Sequence, residues 1–200
     1  MCGARALGQP SGDRSGSARA TILLSLGLVA NLAAQMTFAA TLHEIAVDWA
    51  LDAGQSGWIG GIYFAGYAVA VPFLASVTDR VDGRWVYVIG ALLGAAASFA
   101  FAAFAQGFVV ALVLRFFGGI GLAGVHMPGL NLLMDRVDPS RQGRSAGIYT
   151  SSYAAGSAGS FVLAGLVDAG FGWRAAFVAA GVGPLLSICA VVLLGSLGRG

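Results

Sequence analysis

The chain has no lysine. Its 11 basic residues are all arginine, set against 9 carboxylates, for a formal net charge of +2 over 200 residues. That small excess gives no basis for a nucleic-acid partner. The missing lysine reads as coding bias, not as mechanism. Charge of either sign is scarce: 10% of residues, against roughly 25% in an ordinary soluble domain. With 58% hydrophobic residues and a mean hydropathy of +0.81, the chain lacks the polar groups to cover a surface in water. A bilayer is the expected solvent. Cysteine is nearly absent too. Cys2 and Cys189 are far apart and have no metal-ligand spacing, which excludes a disulfide framework. No apolar segment precedes Cys2, so it is not a lipoprotein cysteine.

What the chain does have is long apolar runs separated by short charged segments. Six spans follow, at about 20–42, 57–78, 85–105, 108–134, 145–167 and 173–194. Each is near the roughly 20 apolar residues that cross a bilayer. The runs are continuously apolar, with no alternation of the kind a barrel strand shows, so helices are expected. The fourth run is the longest and is expected to tilt or project. Residues 1–19, rich in Gly, Ser and Arg, read as a disordered tail, and 20–196 as one six-helix bundle. The first apolar run is too long, and lacks the cleavage site, for a signal peptide.

Arginine placement orients the spans. Arg5, Arg14 and Arg19 precede the first. Arg80 and Arg84 lie in the second-to-third loop, Arg136, Arg141 and Arg144 in the fourth-to-fifth, and Arg199 in the tail. All of these share one side if both termini are cytoplasmic. The other side receives Arg174 and the acids Glu44, Asp48, Asp52 and Asp168. The expected location is a cell (inner) membrane.

The halves echo each other. Leu74-Ala75, Asp79 and Gly83 recur as Leu163-Ala164, Asp168 and Gly172, always 89 residues on. Each echo closes the second helix of a set of three. An odd number of helices per set puts the second set upside down, giving two inverted three-helix repeats. Small residues stripe the helices at a spacing of four: Gly90 and Gly94 on the third, Ser152, Gly156 and Ser160 on the fifth, with Gly159 beside them. Such stripes let helices approach closely in lipid.

Polar groups inside the spans are few. Apart from Arg174 at the very start of the sixth, Arg115 is the one charged residue within them, and no acid lies in any span to pair with it. An intramembrane arginine costs roughly 2.5 kcal/mol or more and should face the bundle interior. A backbone carbonyl, a carboxylate elsewhere or an anionic substrate are its available partners. His126 lies eleven residues on, almost three turns, and so shares its face. Pro128 and Gly129 beside it loosen the helix. A histidine there either relays protons or sits neutral, bonded to a neighbouring helix. Asn31 and Gln35 share a face of the first helix.

These residues resemble the N-terminal six-helix half of the major facilitator superfamily. Asp79-Arg80 and Arg84 match the family's G-x-L-A-D-R-x-G-R-R/K loop between its second and third helices. Ala75 and Asp82 replace its glycines, Gly83 comes one place late, and Trp85 replaces a basic residue. Arg115, Gly119 and Gly121 are similar to the fourth-helix R-x-x-x-G-x-G, and Gly172-Trp173-Arg174 with Phe177 to the G-W-R-x-x-F entry of the sixth. The antiporter pattern G-P-x-x-G-G is not reproduced, so antiport has no support. The resemblance implies that helices one and four line a central cavity, which makes Asn31, Gln35, Arg115 and His126 cavity residues. It implies a cytoplasmic gate latch made by Asp79, Arg80 and Arg84, with Asp135 as the acid at the end of helix four. Asp79 would face a helix N-terminus of the other half, a contact of about 0.3–1 kcal/mol that can hold and release.

Two enzyme-like motifs fail on context. Gly54-Gln55-Ser56-Gly57 is the G-x-S-G of an intramembrane serine protease, but it lies in a loop with no matching histidine motif, and Ser56 reads better as a helix cap. His43-Glu44 lacks a second histidine at zinc spacing. No enzyme activity, metal or cofactor is expected. The expected function is secondary transport of a small solute by alternating access, with Arg115 leaning the solute toward an organic anion and proton coupling implied by the resemblance. One bundle needs a second, supplied by a C-terminal half or a second copy. The alternative is a non-transporting scaffold subunit or a non-functional truncated gene product.

Overall fold

The computed structural model describes the backbone of residues 12–78 and 80–196. Among these there is no strand. The helices are α1 (Gly12–Asn31), α2 (Thr37–Ala40), α3 (Leu42–Asp48), α4 (Ala53–Thr78), α5 (Gly83–Phe104), α6 (Phe108–Met134) and α7 (Gln142–Ser196). Five helices are long and apolar enough to cross a membrane. α7, with 55 residues, is too long for one crossing, and Gly172 inside it is non-helical at φ 79°, ψ 167°. That left-handed position suits glycine. It divides α7 into two limbs.

Two expectations change. Residues 12–19 are helical, so α1 begins inside the segment read as a tail. The first run is not one helix over 20–42. It breaks after Asn31 into a 3-10 turn at Leu32–Ala34, then α2 and α3. No proline or glycine marks this break. Side chains, most of them from other helices, satisfy it, as described below.

Local signals start the other helices. Asp52 and Gln55 form a reciprocal cap on α4: Gln55 N–H donates to Asp52 Oδ1 (2.8 Å) and Asp52 N–H to Gln55 Oε1 (3.1 Å). The cap is therefore Asp52, not Ser56. Asp82 caps α5 by accepting from Arg84 N–H at 2.9 Å. Asp138 does the same for the turn before α7, accepting from Ser140 N–H at 2.9 Å.

Glycines bring the helices together. α6 packs on α4 and α5, while α1 packs on α7, and α5 on α7. Between α5 and α6, a Cβ on Gly90 would lie 2.7 Å from Gly124, and one on Gly121 2.6 Å from Gly94 N. Between α4 and α6, a Cβ on Gly119 would collide with the Tyr63 carbonyl and one on Gly66 with the Phe116 carbonyl. Gly119 and Gly121 thus serve opposite partners from one helix. On α7, Gly156 meets Leu32 in the first limb and Gly183 meets the Ala30 carbonyl in the second. Gly94 and Gly183 are again 89 residues apart, each at the close approach of two helices. Gly159, by contrast, faces open space, and the Ser152 hydroxyl bonds within its own helix to the Tyr149 carbonyl.

Gly121→Ala should therefore lower the thermal midpoint in detergent, by an amount equivalent to roughly 1–3 kcal/mol of overpacking. Gly159→Ala should leave it unchanged. Equal midpoints for the two variants would remove the packing role of Gly121.

Candidate functional site

The break in the first crossing releases carbonyls that a continuous helix would have satisfied. In a bilayer each must find a partner within the protein. Ser160 on α7 supplies one: its hydroxyl donates to the Ala33 carbonyl (2.7 Å) and accepts from Met36 N–H (3.1 Å). Arg115 on α6 supplies two more. Its Nη1 donates to the Ala34 carbonyl at 3.4 Å and its Nη2 to the Gln35 carbonyl at 3.2 Å. The guanidinium is buried, with Cζ 4.2 Å from the Tyr63 ring centroid and 5.6 Å from that of Phe38. Aromatic faces replace part of the hydration it has lost. Its partners among the described residues are carbonyls and rings, not a carboxylate. Asn31, also buried, has an unpartnered Oδ1, and with Arg115 it lines a cavity of about 10 Å³.

Beside the break is a polar and aromatic cluster. The Gln35 amide donates from Nε2 to Tyr153 Oη (2.5 Å), and Ser157 Oγ donates to Gln35 Oε1 (2.6 Å). His126 Nδ1 and Tyr67 Oη share a hydrogen bond of 2.8 Å. The His126 ring lies 5.2 Å from Tyr153 and 5.9 Å from Tyr149 by centroid, the latter nearly parallel at 15°. Tyr149 Oη donates to the His126 carbonyl at 3.1 Å, and Gly129 leaves room for that hydroxyl. Gln35 is buried, whereas Tyr67, His126, Tyr153 and Ser157 are half-buried. Planar rings with amide, hydroxyl and imidazole groups between them suit a small flat solute with polar substituents.

Of the four expected cavity residues, Gln35 and His126 meet in this cluster through Tyr153. Arg115 and Asn31 stand behind it. The sequence reading missed Tyr67, Tyr153 and Ser157. The pairs Tyr63/Tyr67 and Tyr149/Tyr153, each four apart on a helix, were the available signal.

The expected latch lies at the end of the bundle where α4, α5 and α6 meet. Asp79 is outside the described residues. Arg80 and Asp135 are exposed and Arg84 is half-buried. Among the described residues, neither arginine is ion-paired with Asp135. Asp82, Asp135 and Pro128 line a groove of about 420 Å³ there. Arg136 joins this group unexpectedly. Its guanidinium is held below its ordinary value first by burial and then by Arg84, with Asp135 and Asp82 opposing.

At the other end, Trp173 is buried and donates from Nε1 to Asp48 Oδ2 at 2.8 Å. It meets Trp49 edge-on at 5.4 Å, and Phe101 stacks on Phe177 at 4.0 Å. Nearby, Asp168 at the outer end of the first limb of α7 has an enclosed Oδ1 without a partner. Burial, and then the neighbouring Glu44 carboxyl, pushes its pKa up to about 6. Among the described residues no group of His, Cys, Asp and Glu is placed to hold a metal ion.

A family profile described as Major Facilitator Superfamily matches residues 24–197. The niacin transporter of Acinetobacter baylyi is 30% identical over 135 residues, covering 68% of this chain and 30% of that protein. A putative niacin/nicotinamide transporter of Bacillus subtilis is 30% identical over 139 residues, covering 70% and 34%. The gentisate transporter of Corynebacterium glutamicum is 31% identical over 140 residues, covering 68% and 31%. The match spans about a third of the length of these curated relatives. The chain belongs to the major facilitator superfamily. Its long apolar helices make it a multi-pass membrane protein.

Two outcomes follow from the geometry. Arg115→Met leaves the Ala34 and Gln35 carbonyls unpartnered, at about 1–3 kcal/mol each. Thermal unfolding in detergent should show that loss, with Arg115→Lys recovering only part of it because one ammonium cannot reproduce the fork. The second concerns pH. A carboxyl whose pKa is raised on folding holds its proton more tightly in the folded state. Its contribution is full below 3.8 and is lost as pH rises through about 6. The unfolding midpoint should fall across that window, and Asp168→Asn should flatten the fall.

Proposed function

We propose that this member of the major facilitator superfamily forms the N-terminal bundle of a secondary active transporter for a small aromatic carboxylate. The bundle crosses the membrane six times: through α1 to α3 taken together, α4, α5, α6 and the two limbs of α7. The crossings form two inverted repeats. The close-packing pattern supports this, since α6 stands to α4 and α5 as α1 stands to the two limbs of α7. Arginine placement supports cytoplasmic termini in an inner membrane. A second bundle, from a C-terminal half or a second copy, closes the face that carries Gln35, Tyr153 and His126. The two bundles rock about that site, and the groove beside Asp82 and Asp135 receives a helix end from the second bundle as a gate.

The observation that carries the substrate reading is the cluster itself. Half-buried His126 and Tyr153 present ring faces backed by the buried Tyr149, and Ser157 and Tyr67 present hydrogen-bonding groups beside them, with the buried Gln35 amide holding Tyr153 and Ser157. Niacin and gentisate, named for two relatives, are flat aromatic carboxylates, of the kind that ring faces and hydrogen-bonding groups would hold. Arg115 acts on them indirectly, by holding the backbone of Gln35. His126 binds the ring, positioned by its hydrogen bond to Tyr67 Oη, and in a proton-coupled cycle its imidazole takes a proton from water on one side and returns it to water on the other.

Uptake of radiolabelled nicotinate and gentisate into proteoliposomes that carry this bundle together with its second bundle tests the reading. Uptake of one of them is expected, falling at least about tenfold in His126→Ala and Gln35→Ala, which is the loss of roughly one hydrogen bond to a charged solute. No uptake of either solute, or full uptake in both variants, would overturn it.

A further inference from the structure

A second site lies away from the cluster, at the end of the bundle where α1 begins. The first turns of α1 and the start of α7 border a groove of about 410 Å³. Arg141, at the end of the 3-10 turn before α7, and Arg144, in the first turn of α7, stand on one wall, both exposed. Neither forms an ion pair among the described residues. The floor is polar and fixed: Thr21 on α1 and Ser145 on α7 are buried and lie 3.1 Å apart, hydroxyl to hydroxyl. One turn deeper the walls become apolar and open, with Ile22 58% and Ile148 45% exposed, and Leu26 on the next turn of α1 60% exposed.

The groove therefore changes from cationic to apolar along the direction in which a lipid passes from headgroup to acyl chain. Arg144 and Tyr153 are nine residues apart, about 180° around a helix. A second bundle that covers the Tyr153 face leaves Arg144 on the other side. This last step rests on the functional reading above; the charge and shape of the groove do not.

We propose that this groove is a binding site for the phosphate headgroup of an anionic phospholipid, held by Arg141 and Arg144, with one acyl chain lying along Ile22, Leu26 and Ile148. Paired guanidinium groups suit a phosphate diester, to which each donates in-plane N–H groups. Basic residues close to a membrane surface are the usual readers of anionic headgroups. A bound lipid would tie the start of α1 to the start of α7 across the Thr21–Ser145 contact.

Native mass spectrometry of the purified, delipidated protein tests this, using dioleoyl phosphatidylglycerol and dioleoyl phosphatidylcholine as probes. The phosphatidylglycerol adduct is expected to be preferred by roughly 20-fold, two arginines contributing about fivefold each. Arg141→Gln/Arg144→Gln should abolish the preference. Arg141→Lys/Arg144→Lys should retain part of it, and Arg174→Gln, at the other end, all of it. Inorganic phosphate should not displace the lipid. An unchanged preference in the double glutamine variant would overturn the proposal. Displacement by phosphate alone would overturn it too, by showing a site for a free anion. Because adducts are read without transport, lost uptake with the lipid preference intact would fault the transport reading and leave this one standing.

Discussion

The structure depends on how the break in its first crossing is satisfied. A helix interrupted inside a bilayer exposes backbone groups that no water will meet, each costing several kcal/mol if left alone. Here Ser160 and Arg115 meet them from two other helices. The arginine is as much in need of the carbonyls as they are of it. A buried guanidinium without an acid beside it keeps its charge only where enough oxygen and ring density surrounds it. Ala34, Gln35, Tyr63 and Phe38 provide that density. The break and the cation stabilise each other, and neither is tenable alone.

That mutual satisfaction requires helices placed to within a fraction of an ångström. Glycine contacts set the distances. With a Cβ on Gly119, α6 would be pushed off α4, and Arg115, one turn earlier on the same helix, would be carried away from the break with it. The same argument holds on the other side. Gly156 lets α7 lie against Leu32, which brings Ser160, one turn on, to the Ala33 carbonyl. Packing by small residues is thus what gives the polar contacts their geometry, not an independent contribution to stability.

Much of this was legible in the sequence, for definite reasons. Long apolar runs have one physical meaning, so the helical membrane class and most helix positions followed from hydropathy. Arg115 announced itself because a charge in hydrocarbon is too costly to be incidental. The break at Asn31 was not legible. Leu32-Ala33-Ala34-Gln35 contains no proline or glycine to end a helix, and the carbonyls freed there are met by Thr37 nearby and by Arg115 and Ser160 from 80 or more residues away in the chain. Tyr67 and Tyr153 were missed because tyrosine in an apolar run is read as packing unless its hydroxyl partner is known. The stripe on α7 was only half right. Spacing alone cannot tell Gly156, which touches α1, from Gly159, which touches nothing in this bundle.

Gln35 joins the two parts of the site. Its backbone carbonyl is held by Arg115, and its side chain holds Tyr153. Anything that moves Tyr153, whose ring lies against His126, therefore pulls on the point where the first crossing is already interrupted. On either side of that point the chain is well anchored. α1 is packed against Gly156 and Gly183 of α7, and α3 is tied to Trp173 through Asp48. Between two fixed segments, a 3-10 turn and a few side-chain hydrogen bonds are the least costly place to absorb a change of angle. A solute seated among the rings would thus act on the backbone through one residue. The sequence places there a buried amide bonded at both ends, directly beside a cation that holds the same residue's carbonyl.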